Sequence, residues 1–228
     1  MPLLKEAPLF IIDYDTTAPN AIISTSESEP TNSSFDILIT FDTGIINDFT
    51  IDDLSVTNGS ASDLSGDTDD GYTATITPNA DGTVTVTINK DTFTDAATNG
   101  NDVSNTLSIN YDATSPTVVL STDSANPTNA AFEVNITFSE SVTGFEIEDL
   151  AIGNGTASDL TGSDSEYIVT ITPSADGEVT VALAADLASD NAGNGNEAAS
   201  ALSVNYDATS PTVSLAAESA NPTNAAFE

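Results

Sequence analysis

The side chains able to do chemistry in this 228-residue chain are almost all oxygen donors: 36 acidic residues, 24 Asp and 12 Glu, with no Cys and no His. Without cysteine there are no disulfides, thiolate nucleophiles or sulfur-held zinc and iron–sulfur sites. Without histidine the usual general base and the commonest transition-metal ligand are missing too. Lys5 and Lys90 are the only basic side chains against a net charge of −34, so nothing here can neutralise a phosphate backbone or an anionic membrane. Nucleic acid and acidic membrane surfaces are excluded as partners on that ground, and no membrane insertion is expected. What remains is the binding of a hard cation by carboxylates and backbone carbonyls.

The acidic residues recur at a fixed distance. Tyr14-Asp15 returns as Tyr111-Asp112 and Tyr206-Asp207, and Pro30-Thr31-Asn32 returns as Pro127-Thr128-Asn129 and Pro222-Thr223-Asn224, at spacings of 97 and then 95. Phe35 to Phe41 matches Phe132 to Phe138, Asp53-Leu54 matches Asp149-Leu150, and Asn58-Gly59 matches Asn154-Gly155. Asp81-Gly82 matches Asp176-Gly177, and Asn99-Gly100-Asn101 matches Asn194-Gly195-Asn196. The length differences fall near 44–48 and 67–71, where turns are expected, and loops absorb insertions. The sequence therefore reads as a piece of a longer array: 1–15 as a leader and the last strand of a preceding repeat, 16–112 and 113–207 as two whole repeats, and 208–228 as a truncated start of another.

The elements that must position these residues are strands. Phe132-Glu133-Val134-Asn135-Ile136-Thr137-Phe138 alternates apolar and polar, as do 167–171, 179–183 and 202–206. Adding 117–120, 150–152 and 157–160 gives about seven strands in each repeat, separated by Asn, Asp, Gly and Pro turns. That pattern predicts an all-β fold, tandem Greek-key β-sandwiches of immunoglobulin type. A short helical turn is the alternative over 182–188. No run of about 18 apolar residues exists, and the N-terminus lacks a basic region and a small-residue cleavage site, so neither a membrane helix nor an export signal is visible.

On Tyr111-Asp112-Ala113-Thr114-Ser115-Pro116, Phe138-Ser139-Glu140-Ser141-Val142, Glu148-Asp149-Leu150 and Asp190-Asn191-Ala192-Gly193-Asn194, the chain resembles the bacterial immunoglobulin-like repeats of very large surface adhesins. The resemblance covers essentially the whole sequence. It implies display at the bacterial cell surface, tandem copies forming a stalk with neighbouring repeats as partners, and, in many members, calcium at the joints between domains. The first repeat departs from the pattern, with Asp42 taken as the counterpart of Glu140 and with no glycine in 95–99 to match Gly193.

Topology places the acids independently of the resemblance. In a seven-strand sandwich the segment before the first strand and the loops between strands two and three, four and five, and six and seven share one pole. Asp112, Glu140, Asp149, Asp186 and Asp190 should gather there in the second repeat, and Asp15, Asp42, Asp53, Asp91 and Asp95 in the first. Carboxylates about 4 Å apart at an effective dielectric near 20 repel by roughly 4 kcal/mol per pair. Such a cluster needs a cation, a proton or more space. Ca²⁺ fits best, because it accepts six to eight oxygens in tolerant geometry. The expected metal ligands are Asp112, Glu140, Asp149 and Asp190 in the second repeat, and Asp15, Asp42, Asp53 and Asp95 in the first.

Two plainer readings stand beside this one: acidic surface as solvation, or as adaptation to salt. Asp67 to Gly71 starts like an EF-hand loop, but its glycine comes one position early and the closing Glu is missing, so it reads as a turn. The tyrosines recur at regular places, which favours packing over sugar stacking. Paired acids such as Asp52-Asp53 point to opposite faces, and no enzyme activity is expected. The leading function is a calcium-stiffened stalk that projects a binding domain toward a host or surface ligand. The alternatives are repeats that bind a glycan or protein themselves, and a spacer in an extracellular enzyme or surface-layer protein. Phe10, Ile12, Val213, Leu215 and Phe227, in the incomplete repeats, are expected to lack sandwich partners.

Overall fold

The computed structural model describes residues 14–43, 46–68 and 70–216. The chain divides into two compact units, one of the residues up to Pro116 together with Ser189–Gly195 and the other of Thr117–Ala188 and the residues from Asn196 on, each with its own apolar core. Phe10, Ile12 and Phe227 lie outside the described residues.

The first unit contains β1 (Ala21–Ser24), β2 (Phe35–Phe41), β3 (Ile46–Asn47), β4 (Leu54–Thr57), β5 (Gly59–Asp67), β6 (Gly71–Pro78), β7 (Gly82–Ile88), β8 (Thr94–Asp95) and β9 (Leu107–Tyr111). One sheet runs β1-β2-β6-β5, the other β4-β7-β9, and β3 and β8 form a short separate ladder. The second unit repeats this with β10 (Val118–Ser121), β11 (Phe132–Phe138), β12 (Leu150–Gly153), β13 (Gly155–Ser163), β14 (Glu166–Pro173), β15 (Gly177–Leu183) and β16 (Leu202–Tyr206), in the orders β10-β11-β14-β13 and β12-β15-β16. Four strands against three, all paired antiparallel, is the immunoglobulin-like arrangement expected from the strand count.

Period-two alternation decides which face each strand buries. In β11, Phe132, Val134, Ile136 and Phe138 point into the core while Glu133 and Thr137 face solvent. Phe35, Ile37 and Ile39 do the same in β2. Burying one such Ile or Phe side chain stabilises by about 1.5–3 kcal/mol relative to leaving it in water. Rings finish the cores: Phe138, Phe145 and Tyr167 meet edge to face, as do Phe41, Phe49, Tyr72 and Phe93. Tyr111 and Tyr206 pack against their cores, whereas Tyr14 is 89% exposed.

The helical turn considered for 182–188 does not form, because Ala182 and Leu183 complete β15 in register with β12. Among the described residues the helical pieces are the single 3-10 turns Ile51–Asp53 and Ile147–Asp149. Asp67 ends β5 and Gly71 begins β6, with the Asp70 N–H bonded to Asp67 Oδ1 at 3.0 Å, so this segment is a hairpin turn. Val213 and Leu215 are strongly exposed and lie outside any strand. No helix among the described residues is long and apolar enough to cross a membrane.

Candidate metal centre

Strand ends carry the acids. Asp112 immediately follows β9, Glu140 stands two residues beyond β11, and Asp190 lies in the β15–β16 connection. These three offer carboxylate oxygens that all lie within 4.8 Å of one another, a group that could hold a metal ion. Asp190 is 5% exposed, and Asp112 and Glu140 are half-buried. Three carboxylates with no nitrogen or sulfur donor suit a hard cation.

The Asp190 loop is built to aim its carboxylate. Oδ1 accepts the N–H groups of Ala192 and Asn194 at 2.8 and 2.9 Å, and Oδ2 accepts Asn194 Nδ2 at 2.8 Å. The same Nδ2 donates to the Asp112 carbonyl at 2.9 Å, joining two members of the triad through one amide. Gly193, at φ 92°, allows the reversal. Beneath the loop, Asn196 is 1% exposed. Its Oδ1 accepts the N–H groups of Leu187 and Ala188, and its Nδ2 donates to the carbonyls of Ala184 and Glu197. A fully satisfied buried amide of this kind fixes the loop base.

Asp149 is not part of the triad. Its Oδ2 accepts the Glu146 N–H at 2.7 Å and closes the Ile147–Asp149 turn. Asp53 does the same for the Thr50 N–H, also at 2.7 Å. Turn closure thus accounts for the repeated Asp-Leu pair. Asp91 and Asp186 take left-handed φ values of 60° and 62° in their turns and do not join the triad either.

The first repeat preserves the scaffold and changes the donors. Asp95, 3% exposed, accepts Ala97 N, Asn99 N and Asn99 Nδ2 as Asp190 does its own partners. The Asn99 amide, aided by backbone N–H groups and opposed by burial, holds the Asp95 carboxyl below its usual range. Asp15 accepts the Thr17 N–H at 2.9 Å, and its carbonyl accepts Asn99 Nδ2 at 3.3 Å. Strand register corrects the equivalence drawn for Asp42. Phe41 pairs with Ala21 as Phe138 pairs with Val118, so Asp42 matches Ser139 and Thr43 stands where Glu140 does. Asp42 Oδ1 accepts the Asn20 N–H at 2.8 Å, as Ser139 Oγ accepts the Thr117 N–H at 3.0 Å. Among the described residues, the first repeat has no group of three acids comparable with the triad.

The sequence reading passed over Asn101 and Asn196 as loop anchors and Asp81 and Asp176 as hydrogen-bond acceptors. Their recurrence was the available signal, although the partners of the two Asp residues lie 32 and 33 residues away.

Among solved structures, the chain is similar to invasin, described as a bacterial integrin-binding protein, with 15% identity, a TM-score of 0.40, and coverage of 71% of this chain and 36% of that one. It is also similar to the Yersinia pseudotuberculosis adhesin InvE, with 14% identity, a TM-score of 0.29, and coverage of 85% and 60%. The chain thus spans less than two thirds of either protein. No curated protein matches its sequence. A bacterial Ig-like domain family matches residues 15–111 and again residues 112–208, nearly all of the described chain. With that match and the four-against-three strand order of each unit, the chain belongs to the bacterial Ig-like domain family, as two tandem repeats.

Proposed function

We propose that this chain is a non-catalytic stalk segment of a bacterial surface adhesin, in which Ca²⁺ bound by Asp112, Glu140 and Asp190 stiffens the passage from one repeat to the next. The observation that carries this reading is the placement of Asp112. It directly follows β9, and it offers a carboxylate oxygen within 4.8 Å of oxygens offered by Glu140 and Asp190. An ion held by all three makes movement of that short segment cost metal ligation, and Pro116 further restricts it. Family membership, tandem repetition and the scarcity of cationic side chains support a spacer over an enzyme or a nucleic-acid binder. Direct glycan binding finds less support, because Tyr14 is the one strongly exposed aromatic among the described residues.

The test compares melting temperature and the maximum dimension in solution scattering, in millimolar calcium and in chelator, for the wild type and Glu140→Gln. Calcium should raise the first and narrow the distribution of the second in the wild type, and Glu140→Gln should blunt both effects. A wild type that responds to calcium in neither measurement overturns the proposal.

A further inference from the structure

We propose that Asp81 is a positioning residue that grips the segment leaving the first repeat and thereby presents the Asp112 carboxylate, with Asp176 serving the second repeat in the same way. The presenting role rests on the reading of Asp112 as an ion ligand; the grip does not.

Asp81 sits in the β6–β7 turn, followed by Gly82 at φ 124°, a conformation that side-chain-bearing residues rarely adopt. Its Oδ1 accepts the Ala113 N–H at 2.8 Å, and its Oδ2 accepts the Thr114 hydroxyl. One carboxylate therefore holds two consecutive residues from 32 and 33 positions away. Asp112 is fixed from two further directions: its N–H donates to the Thr31 carbonyl at 3.0 Å, and its Oδ1 accepts the Thr114 N–H at 3.0 Å. The turn bearing Asp81 is itself tied down, since Asn58 Nδ2 donates to the Ala80 carbonyl at 2.7 Å and Asn79 N–H to the Asn58 carbonyl at 3.1 Å.

Every part of this arrangement recurs. Asp176 Oδ1 accepts the Ala208 N–H at 2.7 Å and its Oδ2 accepts the Thr209 hydroxyl. Asp207 donates its N–H to Thr128 and accepts the Thr209 N–H, while Asn154 anchors the turn through the Ala175 carbonyl. A solubilising surface carboxylate has no reason to meet the same two donors in both repeats. A charged acceptor shared by an N–H and a hydroxyl makes the stronger class of hydrogen bond, and such a fixed chain end orients the ligand it carries.

The test uses the full 228-residue chain with Asp81→Ala and, as a matched control of equal expected damage, Asp176→Ala. Amide exchange in chelator reads the grip, and calorimetric titration with CaCl₂ reads the presentation of Asp112. Asp81→Ala should speed exchange at 113–114 by about tenfold or more while leaving 208–209 unchanged, with the mirror result for Asp176→Ala. Asp81→Ala should also weaken calcium binding by about tenfold, the usual effect of losing an outer-shell partner, and Asp176→Ala should not. Thr114→Val removes only the hydroxyl donor and decides the matter if Asp81→Ala fails to fold. Unchanged exchange at 113–114 overturns the grip. Equal calcium affinity in the two Asp variants, with the wild type binding, overturns the presenting role. A wild type that binds no calcium removes both that role and the stalk reading, and leaves exchange alone to judge the grip.

Discussion

Thr98 occupies the position of Gly193 in the loop that presents the buried acid, and it takes a left-handed φ of 67° where Gly193 has 92°. A β-branched residue pays steric strain there that glycine does not. The hydrogen bonds from the loop to Asp95 nevertheless match those to Asp190 one for one, so the loop geometry is enforced from below by Asn101, which is fully buried. Replacing Thr98 by Gly should therefore raise the stability of the first repeat by about 1 kcal/mol, net of the added freedom of the unfolded chain, as read by chemical denaturation. Gly193→Thr should lower that of the second repeat. At Thr43, the loss of a carboxylate where Glu140 stands sets the two repeats further apart, since the first keeps its loop but not its third acid.

The elements that carry these residues contribute a pH dependence of their own. The Ala208 N–H and then the Thr209 hydroxyl hold the Asp176 carboxyl below its ordinary value of 3.8. A carboxyl with a depressed folded pKa contributes its full stability above the unfolded value and loses it as pH falls through the folded one. The tie between the β14–β15 turn and residues 208–209 should thus be intact at neutral pH and release only once the pH has fallen below the ordinary carboxyl value of 3.8. The Ala208 amide shift should follow that release in a titration from about pH 5 to about pH 2, and Asp176→Asn should abolish the transition. Strands were legible in the sequence because alternation such as that of Phe132 to Phe138 survives any loop error. Asp112, Glu140 and Asp190 were legible because topology alone sends their loops to one pole. Asp149 shows a second use that the sequence pattern does not display, because an acid before a strand can close its own turn as well as face a neighbour. Asp176 is not legible in the sequence because its donors are remote, and Asp42 resembles Glu140 only in charge, since the strand register sets it against Ser139.

For the molecule as a whole, two separate cores imply two separable unfolding events. Ile39 and Ile136 are both fully buried, one in each core. Ile→Ala at such sites costs about 2–5 kcal/mol. In calcium-free calorimetry, Ile39→Ala should move one transition and Ile136→Ala the other, and a single transition shifted equally by both would show that the repeats melt together. The acidic residues have the same divided character: among the described residues some are buried or hydrogen-bonded carboxylates, such as Asp95, Asp190, Asp81 and Asp176, and others are exposed acids such as Glu133.

The capture of residues 208–209 by Asp176 also bears on how such repeats are inherited. A gene segment duplicated only from the first strand to the last would end at Tyr206 and leave Asp176, and the Thr128 carbonyl that receives the Asp207 N–H, without their donors. The smallest copy that brings its own bonding partners runs on to Thr209. Residues 207–209 therefore belong with the sandwich they close, and an insertion in the chain should be tolerated better after Thr209 than before it.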